Sequence, residues 1–148
     1  MELKFRVFGR IARPVAEVFE AVVNPDQLSQ YFTTGGAQGR IEKGATVTWD
    51  FADFPGAFPV EVVDVIENSL IVLHWESNEG NGVMTEVTMR FTDCGGGVTL
   101  VEIGEAGWKE NQAGLDASYD NCMGWSQMLC AMKMWVEHRI RMRDGFYK

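Results

Sequence analysis

Hydrophobic and polar positions alternate over residues 3–11, with Leu3, Phe5, Val7 and Ile11 on one side and Lys4, Arg6, Phe8 and Arg10 on the other. A period of two predicts a strand with one buried face. After Pro14, a residue suited to a first helical position, the period changes. Val15, Val18, Phe19 and Val22 recur at i, i+3, i+4 and i+7, one apolar stripe of a helix. Asn24-Pro25-Asp26 ends that helix and opens a second short one, with Asn24 as N-cap, Pro25 at N1, and Leu28, Tyr31 and Phe32 as the apolar side.

From Gly35 to Gly107 the texture becomes short apolar runs separated by Gly, Asp, Asn and Pro, which predicts strands near 45–53, 58–66, 69–76, 82–92 and 97–105 and a weaker one near 37–41. Asn68-Ser69, Asn78–Gly82 and Gly95-Gly96-Gly97 read as hairpin connections. Links this short cannot carry parallel crossovers, so an antiparallel meander is expected. The last element is a helix over about 116–142 with Cys122, Trp125, Leu129, Met132, Val136 and Ile140 as its main stripe. Met128 and Trp135 widen that stripe, and Met123, Cys130 and Met134 lie on the far side. A helix apolar this far round is expected to be gripped by more than one surface.

Composition adds limits to this picture. Hydrophobic residues at 46% and charged residues at 23% are globular proportions and exclude a disordered chain. No apolar run approaches the ~20 residues needed to cross a bilayer, so no membrane association is expected. The alternating start lacks a signal-peptide pattern, and three cysteines without metal-type spacing (Cys94, Cys122, Cys130) suit free thiols in a reducing cytoplasm, buried as small hydrophobes. Of the net charge of −8, residues 24–132 carry −12 and residues 133–148 carry +3. So acidic a chain repels phosphate backbones, and no nucleic-acid partner is expected. The basic tail (Arg139, Arg141, Arg143, Lys148) is expected to complement a helix C-terminus.

The order strand, two short helices, six-strand meander and long helix resembles the START-like (SRPBCC) superfamily. Arg13-Pro14-x-x-x-Val18-Phe19 followed by Asn24-Pro25-x-x-Leu28-x-x-Tyr31-Phe32 is similar to the opening of the activator of heat-shock protein 90 ATPase family. Gly44 before a long strand, Leu73-His74-Trp75, Gly107-Trp108 and Gly124-Trp125-x-x-x-Leu129 continue the resemblance along nearly the whole chain. It implies a single α+β domain over 1–148 with a helix-grip fold, a curved antiparallel sheet around the C-terminal helix, and a cavity between the two that takes hydrophobic ligands. The family usually has Trp where this chain has Tyr31, a change at the expected cavity mouth. The resemblance also implies a co-chaperone-like or stress-response role, although nothing here matches the extra N-terminal domain of the family's eukaryotic co-chaperone.

No catalytic constellation stands out. The sequence has no GxSxG, CxxC, Walker loop or HExxH, and His74 and His138 fall in different elements, so no metal or cofactor is expected. Alternation turns His74 away from Leu73 and Trp75 toward solvent. Glu105 shares the inward face of Val101 and Ile103, while Asp50 and Glu61 could approach the concave side. Glu102 and Arg90 are expected to pair across strands. The aromatic and methionine residues carry the stronger functional signal, since such side chains line adaptable apolar pockets. The candidate ligand-binding residues are Tyr31, Trp49, Phe51, Trp75, Met89, Glu105 and Met123, with entry near the short helices and a 53–58 loop.

These observations favour a non-catalytic module that encloses a small hydrophobic molecule. The alternatives are a domain that binds a chaperone or other protein, with homodimerisation as an open option, and a cyclase- or hydrolase-like enzyme using Glu105 or Asp50 as general base.

Overall fold

The computed structural model describes residues 1–148. Its elements are β1 (Lys4–Ile11), α1 (Val15–Val23), α2 (Pro25–Tyr31), β2 (Gly36–Gln38), β3 (Thr46–Phe51), β4 (Phe54–Ile66), β5 (Leu70–Glu76), β6 (Met84–Asp93), β7 (Thr99–Ala106) and α3 (Gln112–His138). The strands form one antiparallel sheet in the order β1-β7-β6-β5-β4-β3-β2. The expected meander thus runs unbroken from β2 to β7, and β1 returns to pair with β7. This is the expected α+β architecture, a curved antiparallel sheet with one long helix and two short ones.

The short turns follow the local chemistry. Asn68 takes a left-handed φ of 60° between β4 and β5, and Gly95, Gly96 and Gly97 take φ of 79°, 63° and 74° between β6 and β7. Three consecutive left-handed residues are tolerable only for glycine. The 53–58 loop does not exist: Ala52-Asp53 makes a tight turn and residues 54–58 already belong to β4. A bulge between Val62 and Asp64 inserts one residue, so Val63 is turned outward and Val65 regains the core side.

Helix boundaries depart from the sequence pattern at three places. Pro14 is the N-cap of α1, one residue earlier than expected. Helix α3 begins at Gln112, not 116, because the Asn111 side chain accepts the Gly114 N–H at 2.9 Å. It ends at His138, not 142, because Arg139 adopts the left-handed conformation at φ 56°, with its N–H reaching Met134 and Trp135 carbonyls. The Ile140 N–H also returns to the Met134 carbonyl, a Schellman-type end that usually carries glycine. Ile140 therefore leaves the helical stripe and is exposed.

The core lies between α3 and the inner face of the sheet. Trp125, Met128, Leu129, Met132 and Val136 pack there with Ile71, Leu73, Met89 and Ile103. Helix α1 joins through Phe19, whose ring meets Phe91 edge-on at 5.2 Å. The cysteines are not core residues: Cys94 and Cys130 are exposed and Cys122 is half-buried, all three as free thiols. Glu102 bonds to Arg6 of β1 and not to Arg90. Both neighbours are within reach because β7 lies between β1 and β6.

Residues 139–148 fold back along α2, a role different from complementing the end of α3. The Arg141 guanidinium donates to Gln30 Oε1 at 3.0 Å, and Arg143 donates to the Phe32 carbonyl at 3.2 Å. Tyr147 then packs on Phe54 at 5.8 Å between ring centroids. The tail thereby covers the β3–β4 turn and the end of α2.

Candidate functional site

Strand alternation turns Phe51, Phe58 and Trp75 inward, and the 3.6-residue period of α3 turns Trp125 toward them. Their rings form a continuous wall. Phe32 stacks on Trp125 at 5.1 Å, Trp125 meets Trp75 at 5.4 Å, Trp75 meets Phe58 at 5.9 Å, and Phe58 meets Phe51 at 5.8 Å. Beside the N-terminal half of α3, this wall lines a half-open cavity of about 590 Å³. Volumes of this order hold drug-sized ligands. Gly124 lies on the helical side of the cavity, and a Cβ placed there would meet nothing within 4 Å.

Behind the wall sits Glu105, 2% exposed. Its carboxylate accepts the indole N–H of Trp75 at 2.8 Å and of Trp125 at 2.9 Å, the Thr85 hydroxyl at 2.6 Å and the Asn121 amide at 3.1 Å. No basic side chain pairs with it. Four neutral donors instead meet the demand that burial places on a charged group. A carboxylate whose two oxygens are occupied by fixed donors anchors those donors. It has no free lone pair aimed at the cavity for proton abstraction.

The tail supplies the opposite rim. Arg143, 6% exposed, donates to both Asp53 carboxylate oxygens at 3.2 and 3.3 Å and lies 5.5 Å from the Phe51 centroid and 5.2 Å from that of Tyr147. Arg143 and Tyr147 both line the cavity, with Gln127 on α3.

The candidate residues named from sequence divide into three groups. Phe51, Trp75 and Met123 line the cavity, Met123 at its exposed rim. Glu105 lies behind it and positions two of its rings. Tyr31, Trp49 and Met89 lie in the packed core and not on the cavity wall. The Tyr31 hydroxyl donates to the Ala21 carbonyl at 2.9 Å, and burial pushes its pKa well above the usual phenol range. Trp49 touches the wall from behind, edge-on to Trp75 at 5.7 Å. Glu61 is exposed on the outer face, and Asp50 accepts the Gly56 N–H at 3.0 Å outside the cavity lining. His74 faces outward and bonds Glu86 at 2.9 Å. The alternation pattern missed Gln127, Arg143 and Tyr147, which depend on where α3 crosses and how the tail returns.

No group of three or more His, Cys, Asp or Glu side chains is close enough to hold a metal ion, and no helix is long and apolar enough to cross a membrane.

Comparison with solved structures finds the same fold. DynU16, from the dynemicin biosynthetic locus, superposes with a TM-score of 0.79 at 24% identity, over 94% of this chain and 49% of its own, so the present chain spans about half of that protein. SSP2350 from Staphylococcus saprophyticus gives 0.76 at 22% identity, over 97% and 96% of the two chains. The Aha1 dimer from Colwellia psychrerythraea gives 0.73 at 19% identity, over 93% and 97%. No curated protein matches the sequence. The sequence profile described as Activator of Hsp90 ATPase homolog 1-like protein matches residues 12–137, which is most of the chain, and the protein therefore belongs to that family.

Proposed function

We propose that this protein is a binding module that encloses one small, mostly apolar molecule between the sheet and the N-terminal half of α3. The observation that carries this reading is the aromatic cavity of about 590 Å³. Two of its rings, Trp75 and Trp125, are held in place by hydrogen bonds to Glu105. Gly124 leaves the helical side open, although glycine inside a helix is costly. Three free cysteines, two of them exposed, fit a reducing, cytoplasmic setting.

The test uses the two tryptophans of the cavity wall. A panel of fatty acids, sterols and flavonoids is titrated while indole fluorescence and thermal stability are followed. A true ligand quenches saturably, and at 100 times its dissociation constant it adds ~2.7 kcal/mol of stability by linkage. Gly124→Leu places a side chain in the cavity and abolishes both signals while the fold is retained. If no member of the panel quenches or stabilises, the cavity is not a binding site. Association with a chaperone or other protein, which the family description suggests, then becomes the better reading.

A further inference from the structure

The open lining of the cavity is mainly apolar, and half-buried Phe51, Phe58 and Trp75 with exposed Phe54 supply its accessible rings. The face of an aromatic ring attracts cations, that of Trp most strongly. The chain's own cations already use the tail side of this lining. The Arg143 guanidinium carbon lies 5.5 Å from the Phe51 centroid, and the Lys148 ammonium lies 4.8 Å from that of Phe54. Trp75 and Phe58 have no such partner in the chain.

The fixed charge beside Trp75 is negative. Glu76 follows it in β5 and Asp120 lies on α3; both line the cavity and both are exposed. Neither takes part in an ion pair. Behind the ring is Glu105, buried and held by neutral donors alone. Neutral donors solvate a carboxylate without cancelling its charge, and a low-dielectric interior screens that charge poorly. The Trp75 indole N–H donates to this carboxylate at 2.8 Å, which polarises the ring in the sense that favours a cation on its face. The one basic residue of the lining, Arg143, is balanced by Asp53 at 3.2 Å. A neutral ligand would use the rings but not this field, and an anion would oppose it. A ligand with a cationic group uses both.

We infer, resting on the ligand-binding reading above, that the cavity takes a largely apolar organic cation, an alkyl or benzylic ammonium, seated at Trp75 and Phe58 with Glu76 and Asp120 supplying the counter-charge. The apolar part of such a ligand fills the aromatic space, and its charged end stays at the rim, where the two exposed carboxylates are.

Three matched probes separate the charge preference from the cavity itself: benzyltrimethylammonium, its carbon isostere neopentylbenzene, and phenylacetate. Each is titrated against tryptophan fluorescence excited on the red edge of the indole band, where none of the three absorbs. The cation is expected to bind about tenfold more tightly than the isostere, the order of one cation–π contact aided by fixed carboxylates, and phenylacetate more weakly than either. Added salt should narrow the gap, because the charges of Glu76 and Asp120 are exposed to screening. The double variant Glu76→Gln, Asp120→Asn keeps both side-chain shapes, and in it the advantage of the cation is expected to fall to about threefold or less, the part owed to the rings and Glu105. Binding of the cation alone would support both readings. If neither the cation nor neopentylbenzene binds, the ligand-binding reading fails and this inference fails with it. If neopentylbenzene binds and the cation binds no tighter, or if the double variant keeps the full preference, the assignment of Glu76 and Asp120 is wrong while the cavity reading stands. Tightest binding by phenylacetate would overturn the selection for cations.

Discussion

Trp75 and Trp125 meet at 5.4 Å, and their indole N–H groups, from a strand and from a helix, end on the same carboxylate of Glu105. One buried acid on β7 thereby fixes the relative position of β5 and α3 at the cavity. The rings bring most of the apolar contact area, and the fixed N–H groups keep the two indoles from sliding into the open space. The Glu105 network thus holds two of the five wall rings at the edge of the cavity.

Glu105→Gln preserves size and removes one acceptor oxygen, so the two indoles and Thr85 can no longer all be satisfied. Hydrogen bonds to a charged group are worth ~1.5–3 kcal/mol each, and a loss of about 3 kcal/mol on urea unfolding is expected. Tryptophan emission should shift to the red as the indoles loosen. A loss below about 0.5 kcal/mol, the size of an ordinary surface change, would mean that the network does not hold the wall.

Two glycines of α3 should respond in opposite directions to alanine. A Cβ at Gly114 would lie 1.9 Å from the Lys109 carbonyl oxygen, whereas one at Gly124 meets nothing within 4 Å. Gly114→Ala is expected to destabilise by about 1–3 kcal/mol, as other overpacking changes do. Gly124→Ala is expected to stabilise by about 0.5–1 kcal/mol through helix propensity. Equal signs for the two in thermal or urea unfolding would contradict the close approach of Gly114 to the Lys109 carbonyl or the open space beside Gly124.

The meander from β2 to β7 and the long helix could be read from period two, period 3.6 and the turn residues, because each rests on local chemistry, whereas the long-range return of β1 to β7 could not. The cavity could be read only in part. Alternation places Trp49, Trp75 and Met89 all on the inner face, but it cannot say which of them α3 covers. That depends on the crossing of the helix, which leaves Trp75 on the wall and buries Met89 completely. The tail was illegible for a different reason. Its return along α2 depends on Arg139 taking a left-handed conformation without glycine, so nothing in the sequence marks the reversal. The basic tail was visible as charge, but its use was not.

Acid sensitivity should be traceable to Glu137. Burial opposes its ionisation, but the Lys133 ammonium and the Ala12 N–H outweigh that and hold its carboxyl below the ordinary 4.5. A folded pKa below the unfolded one contributes stability that is present above pH 4.5 and lost as the pH falls through the folded value. Glu137→Gln keeps an acceptor for Ala12 but cannot ionise. The gap in urea midpoint between the parent and this variant should therefore be widest near pH 7 and close toward about pH 3. A gap that stays constant with pH would assign the effect to shape and not to charge.

Arg143 and Asp53 are 6% and 9% exposed, and their pairing holds the tail to the β3–β4 turn. Removing one member of a buried pair leaves the other as an uncompensated charge, typically a loss of ~3–5 kcal/mol, while replacing both with apolar groups can be nearly neutral. Arg143→Met and Asp53→Leu should each fall in or near that range. The double variant should cost clearly less than their sum, a coupling of at least about 1 kcal/mol. Arg143 also donates to the Phe32 carbonyl, so some loss unique to Arg143→Met should persist in the double variant. Strictly additive losses would show that the two side chains act independently, and the tail would then be held by the Tyr147–Phe54 contact and the Arg141–Gln30 hydrogen bond instead of by charge.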